Sequence, residues 1–155
     1  MAEADDYDPA FWVWGEDEIR PRILHAMVRV FDVDAALRFY VEGLGMKVLD
    51  KFDVEVRRST GIFIGYDGYR QSALLELVNK WDDDQPYTHG TGYGHVAIGL
   101  PDVPGTVARL KDMGFEVPDE PKVLIAGGPL VAFVKDADGY AVELIQIQRA
   151  RNGQS

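Results

Sequence analysis

The chain is written twice. His25-Ala-Met-Val-Arg-Val-Phe-Asp32-Val33 is matched by His95-Val-Ala-Ile-Gly-Leu-Pro-Asp102-Val103, with the histidine and the Asp-Val pair at one separation. A helix-like stretch follows in each copy, Asp34 to Leu44 and Pro104 to Met113. Each stretch stops at a glycine suited to a left-handed cap, Gly45 and Gly114. Each copy then closes on an apolar strand bearing one carboxylate, Ala73-Leu-Leu-Glu76-Leu77 and Ala141-Val142-Glu143-Leu144. An offset of about 70 residues is longer than a solenoid unit and suits two half-domains.

Each copy reads strand, helix, three strands, which predicts an α+β fold of two βαβββ modules. Strands are expected near 23–30, 46–54, 60–66 and 71–79 with a helix at 33–43. In the second copy they fall near 94–100, 114–118, 129–135 and 140–147, with a helix at 103–113. Asp67-Gly68 and Asp138-Gly139 predict tight hairpin turns before each last strand. The implied division is an acidic aromatic arm (1–21), a first module (22–80), a polar linker (81–93), a second module (94–148) and a tail (149–155). His89 has no counterpart in the other copy and reads as a surface residue of the linker.

Charge and composition narrow the function. A net charge of −10 argues against nucleic acid, which demands a surplus of Lys and Arg on one face. It also means that an anionic substrate must be captured by local cations. No apolar run approaches the roughly 18 residues of a membrane span, and the acidic N-terminus has none of the marks of a signal peptide, so a cytoplasmic protein is expected. The absence of cysteine removes disulfides, thiolate nucleophiles and zinc–sulfur sites.

Four residues stand out against the apolar strands that carry them. His25 and His95 open the first strand of their copies, and Glu76 and Glu143 lie in the last. A carboxylate between Leu and Val is costly unless a cation or hydrogen-bond donors meet it. A lone Glu on a strand usually faces solvent or an Arg, and a lone His is usually a satisfied core residue. Here the same two positions are occupied in both copies, and one divalent metal bound by His25, Glu76, His95 and Glu143 answers all four. Imidazole with carboxylate suits Zn, Ni, Co, Mn or Fe(II).

The stretches ILHAMVRVFDVDAALRFYVEGLGMKVL, LLELVNKW, GYGHVAIGLPDV and AFVKDADGYAVELI resemble the vicinal oxygen chelate superfamily and, within it, glyoxalase I. They cover most of residues 22–148. The resemblance implies a metal-dependent lactoylglutathione lyase, with Ni or Co favoured as the ion and Zn or Mn as alternatives. Glutathione would be the cosubstrate, the hemithioacetal of methylglyoxal the substrate and S-lactoylglutathione the product. A glutamate would move the C1 proton to C2: Glu143 first, with Glu76 as the other candidate. The implied substrate-binding residues are Arg29, Asn79 and Lys80, and the implied assembly is a homodimer with its sites at the interface.

Two positions depart from the family pattern. Lys80 stands where glyoxalases carry Asn directly before Trp, and Ala126 stands where a loop Lys is usual, with Lys122 nearby. They keep open another enzyme of the superfamily, an isomerase or lyase acting on a different aldehyde, thiol adduct or aromatic substrate. An extradiol dioxygenase fits less well, because Glu76 would fill a position such iron sites leave open. A non-catalytic binding module predicts a lost ligand, and all four remain. The arm Phe11-Trp12-Val13-Trp14 reads as a segment packing on a partner subunit or as an apolar lid.

Overall fold

The computed structural model describes residues 12–148, so Phe11, the rest of the arm before it and the tail at 149–155 lie outside the described residues. Two compact units are present. The first holds residues 12–33 and 45–87, the second 34–44 and 88–148.

In the first unit, strands β1 (His25–Arg29), β2 (Lys47–Val54), β3 (Ser59–Gly65) and β4 (Leu74–Lys80) form one sheet in the order β1-β4-β3-β2. β1 runs parallel to β4, and the other pairings are antiparallel. The two-residue alternation of β4 buries Leu75 and Leu77 on one face and turns Glu76, Val78 and Lys80 to the other. Ile62, Ile64 and Val28 join the buried set.

The second unit repeats this plan. β5 (Val96–Leu100), β6 (Asp119–Val123), β7 (Leu130–Lys135) and β8 (Ala141–Gln146) lie in the order β5-β8-β7-β6, again with only the β5–β8 pair parallel. Helix α2 (Val103–Asp112) covers the sheet with Val103, Val107 and Leu110. Its first turn is capped by the Asp102 side chain, which accepts from the Gly105 N–H at 3.0 Å. Helix α1 (Val33–Leu37) widens into a π-turn over Arg38–Gly43, where the Leu44 N–H reaches the Phe39 carbonyl. That segment packs in the second unit: Gly43 lies against Leu110, Phe39 meets Phe115 edge-on at 5.0 Å, and Arg109 donates to the Gly43 carbonyl. Gly45 and Gly114, at φ +75 and +88, supply the left-handed caps.

Three local expectations are corrected. The strand placed at 114–118 lies later, at Asp119–Val123. Residues 115–118 contribute one ladder-like bond, Lys135 N–H to the Glu116 carbonyl, before Pro118 and Pro121 break the pattern. Asp67-Gly68 makes no tight hairpin, because the 66–73 connection closes as a helical turn, with the Gln71 and Ser72 N–H groups on the Gly68 carbonyl. His89 is not a plain surface residue: its ring stacks on Tyr140 at 4.0 Å and 10°.

Candidate metal centre

Strand register brings each histidine to its glutamate. On the parallel ladders Met27 faces Glu76 and Ala97 faces Glu143, each two residues beyond the histidine. The offset is identical in both copies, and so is the outcome. His25 Nε2 lies 3.1 Å from Glu76 Oε2, and His95 Nε2 lies 3.1 Å from Glu143 Oε2. A phenylalanine supports each pair from the neighbouring strand. Phe63 is in register with Glu76 and 5.3 Å from the His25 ring, while Phe133 is in register with Glu143 and 5.4 Å from His95. The glutamate side chains are mostly buried, at 18% and 17% exposure.

The donors fit a divalent ion. Two ligands at right angles, each about 2.1 Å from one cation, stand about 3 Å apart, which is the N–O separation seen in both pairs. An N,O set of this kind matches borderline divalent metals. Among the described residues, the single chain assembles no group of three or more His, Cys, Asp or Glu able to hold an ion.

His25 has a further partner. The Tyr69 hydroxyl lies 2.7 Å from Nδ1, so the ring is engaged at both nitrogens. Tyr69 is 4% exposed and is packed by Phe63 at 5.2 Å and Trp12 at 5.1 Å. The described part of the arm thus lies on its own unit. Arg70 donates to the Val13 carbonyl at 2.8 Å, and Arg22 donates to the Glu18 and Arg70 carbonyls while sitting over the Trp14 ring. Neither Tyr69 nor the two phenylalanines was singled out from the sequence. The repeat held the signal, since Phe63 and Phe133, like Tyr69 and Tyr140, occupy matching places in the two copies.

Beside Glu76 the first sheet opens into a cleft of about 470 Å³ with an apolar floor that includes Met27, Val54 and Val78. Three cations line it: Arg29 from β1, Lys80 from β4 and Arg57 from the 3-10 turn Glu55–Arg57. Arg58, next along, takes a left-handed φ of 45 and turns away to grip Asp82 with two hydrogen bonds of 2.5 and 2.8 Å. Lys80 donates to the Arg57 carbonyl. Asn79 does not line the cleft. It alternates to the opposite side of β4 and spends its amide on the Val30 and Phe31 carbonyls, at 3.2 and 3.1 Å, so it is Lys80 that stands on the cleft side. Ala126 belongs to an exposed turn between β6 and β7.

Residues 22–144 match the Glyoxalase/Bleomycin resistance protein/Dioxygenase superfamily. The lactoylglutathione lyase of Haemophilus influenzae is 37% identical over 132 residues, covering 85% of this chain and 97% of that protein. The lactoylglutathione lyase of Neisseria meningitidis is 39% identical over 125 residues, covering 81% and 90%. Among solved structures, the trypanothione-dependent glyoxalase I of Leishmania major superposes with a TM-score of 0.73 at 40% identity, covering 82% of this chain and 87% of that one. With the duplicated sheets and paired His and Glu residues already described, these likenesses establish that the chain belongs to the glyoxalase superfamily and, within it, to the glyoxalase I lyases.

Proposed function

We propose that this lyase isomerises the hemithioacetal of methylglyoxal and glutathione to S-lactoylglutathione, using one divalent cation held by His25, Glu76, His95 and Glu143. The observation that carries the reading is the repeated His–Glu pair at 3.1 Å. Each pair supplies two ligands, so a homodimer completes the set, with His25 and Glu76 of one protomer meeting the second pair of its partner. A divalent ion held by these residues would supply Lewis-acid polarisation of the substrate's oxygens. Nickel or cobalt is the favoured ion, on the resemblance already drawn.

The protein's own groups do the rest. Glu143 takes the C1 proton and returns it at C2, and Glu76 serves the opposite face. The C1 proton arrives at C2 and the C1 hydroxyl proton ends on the C2 oxygen, so the ketone becomes an alcohol, the hemithioacetal carbon becomes a thioester and nothing is oxidised or reduced overall. Arg29, Lys80 and Arg57 bind the carboxylates of the peptide thiol in a protein whose net charge would otherwise repel them. The same three cations support a second reading, in which the thiol is a different anionic one. The name of the Leishmania relative, trypanothione-dependent, shows that thiol choice varies between glyoxalases I.

The test mixes purified protein loaded with Ni(II) or Co(II) with methylglyoxal and glutathione and follows thioester absorbance. Turnover that disappears on chelation and returns with metal is expected. Stoichiometric metal uptake without thioester formation would reject this substrate while leaving a related superfamily enzyme.

A further inference from the structure

The cleft of the first unit is built in rows, because strand residues paired in register point to one side. Glu76 is in register with Met27, and two residues further along β4 Val78 is in register with Arg29. Two residues beyond that, Lys80 pairs with Ser59, whose own partner across the next ladder is Val54. At about 3.3 Å per strand residue, the Arg29 row stands roughly 7 Å from the Glu76 row and the Lys80 row roughly 13 Å. Arg57 joins the Lys80 row from the turn after β2, and its carbonyl receives the Lys80 ammonium.

Charge is spread unevenly over these rows. Among the described lining residues Glu76 is the only acid, and it stands at the opposite end from Lys80 and Arg57. Elsewhere Arg58, Arg70, Lys111, Lys122 and Lys135 each meet an acid, whereas no ion pair among the described residues engages Arg29, Arg57 or Lys80. Asp82, two residues on from Lys80, is already gripped by Arg58. Two like charges are therefore held at one end of the cleft beside the buried Ser59, at a Coulomb cost that an anion there would remove.

We propose that the Lys80–Arg57 row is a subsite for a further anionic group, with Lys80 as its specificity-determining residue, so that thiols more negative than glutathione bind best. The inference rests on the lyase reading above and names the charge class of its thiol. Glutathione has two arms of unequal length. Its glycyl carboxylate suits Arg29 in the near row, and the longer γ-glutamyl arm reaches the far one. That arm ends in a carboxylate, which Lys80 meets as a point charge and Arg57 as a planar fork. It also ends in an ammonium, and the far row offers two cations and no acid to receive it. A thiol carrying an acid in place of that ammonium trades a repulsion for an attraction.

The experiment measures, by calorimetry on the Ni(II)-loaded protein, the binding of three unreactive conjugates. They are S-methylglutathione, its N-succinyl derivative, and the N-succinamoyl derivative, which has the same shape as the second without its added carboxylate. Wild type is expected to bind the N-succinyl conjugate roughly 3–10-fold more tightly than either of the others, by a margin that shrinks as salt is raised. Lys80→Gln keeps a donor for the Arg57 carbonyl but removes the charge, and should reduce the margin to about twofold or less. Lys80→Arg should retain it. Equal binding of the N-succinyl and N-succinamoyl conjugates to wild type would overturn the proposal, as would the full margin in Lys80→Gln. Thioester formation from glutathione beside equal binding strikes this inference alone. The full margin without thioester formation from any of these thiols supports the subsite and rejects the lyase reading.

Discussion

Tyr40 donates its hydroxyl hydrogen to a carboxylate oxygen of Asp136 across 2.6 Å, so the helical segment of the first sequence copy is bonded to the last turn of the second. Both groups are buried, at 2% and 6% exposure. Asp136 also accepts the backbone N–H groups of Asp138 and Tyr140, at 3.0 and 2.9 Å. Burial, and then the Asp136 charge, raise the Tyr40 phenol well above its usual range. Tyr40→Phe keeps the ring but leaves a buried carboxylate one donor short. It should cost about 1–3 kcal/mol, read from urea unfolding. A loss below a few tenths would show that water replaces the phenol.

The Asp136 carboxyl is itself raised above its ordinary 3.8, because desolvation outweighs the hydrogen bonds from Tyr40, Tyr140 and Asp138. The folded state therefore binds this proton more tightly than the unfolded chain does, and the contribution to stability falls as pH rises through the window above 3.8. The stability of wild type relative to Asp136→Asn should thus improve as pH is lowered from neutral toward 3.8. Unfolding curves for both proteins across that range decide the point, and an opposite slope would mean that the hydrogen bonds win over burial.

Gly61 makes room for Phe52, its partner in register across β2 and β3. A Cβ at residue 61 would stand 2.5 Å from the Phe52 ring. Gly61→Leu should therefore destabilise the first unit by about 1–3 kcal/mol through overpacking and displace Phe52 into the cleft. Adding Phe52→Ala should recover much of that loss in a double-mutant cycle, whereas strictly additive costs would show that the two side chains do not compete for one space.

Glu143→Gln tests the proton transfer. The amide keeps the shape and a hydrogen-bonding oxygen but lacks the basicity, so kcat should fall by roughly 10²–10⁴ while circular dichroism stays unchanged. Full activity in this variant, with loss in Glu76→Gln, would move the base to the other face.

What the sequence disclosed followed from its periodicity. Alternation around Glu76 and Glu143 marked the last strands, and Gly45 and Gly114 marked the helix ends because only a left-handed residue fits there. Strand β6 lies later than the expected 114–118 for a physical reason: Asp-Glu-Pro-Lys-Val offers neither alternation nor an apolar run, and its place depends on pairing with β7. Asn79 and Lys80 are neighbours on β4 and take opposite faces, so of the two only Lys80 lines the cleft. The contact of Tyr69 with His25 is hidden from the sequence because it arises from a connection of eight residues, 66–73, whose path is set by the arm and by Arg22 and Arg70.

That awkward strand β6 has a consequence for the protein's behaviour in a crowded solution. It is the outer strand of its sheet, where an open row of amides invites another chain to add itself. Pro121 has no amide hydrogen to offer, the pairing skips register between Asp119 and Lys122, and a lysine charge stands next to the gap. A stray strand finds no continuous template there, so this rim resists the sheet-to-sheet growth that leads to fibres.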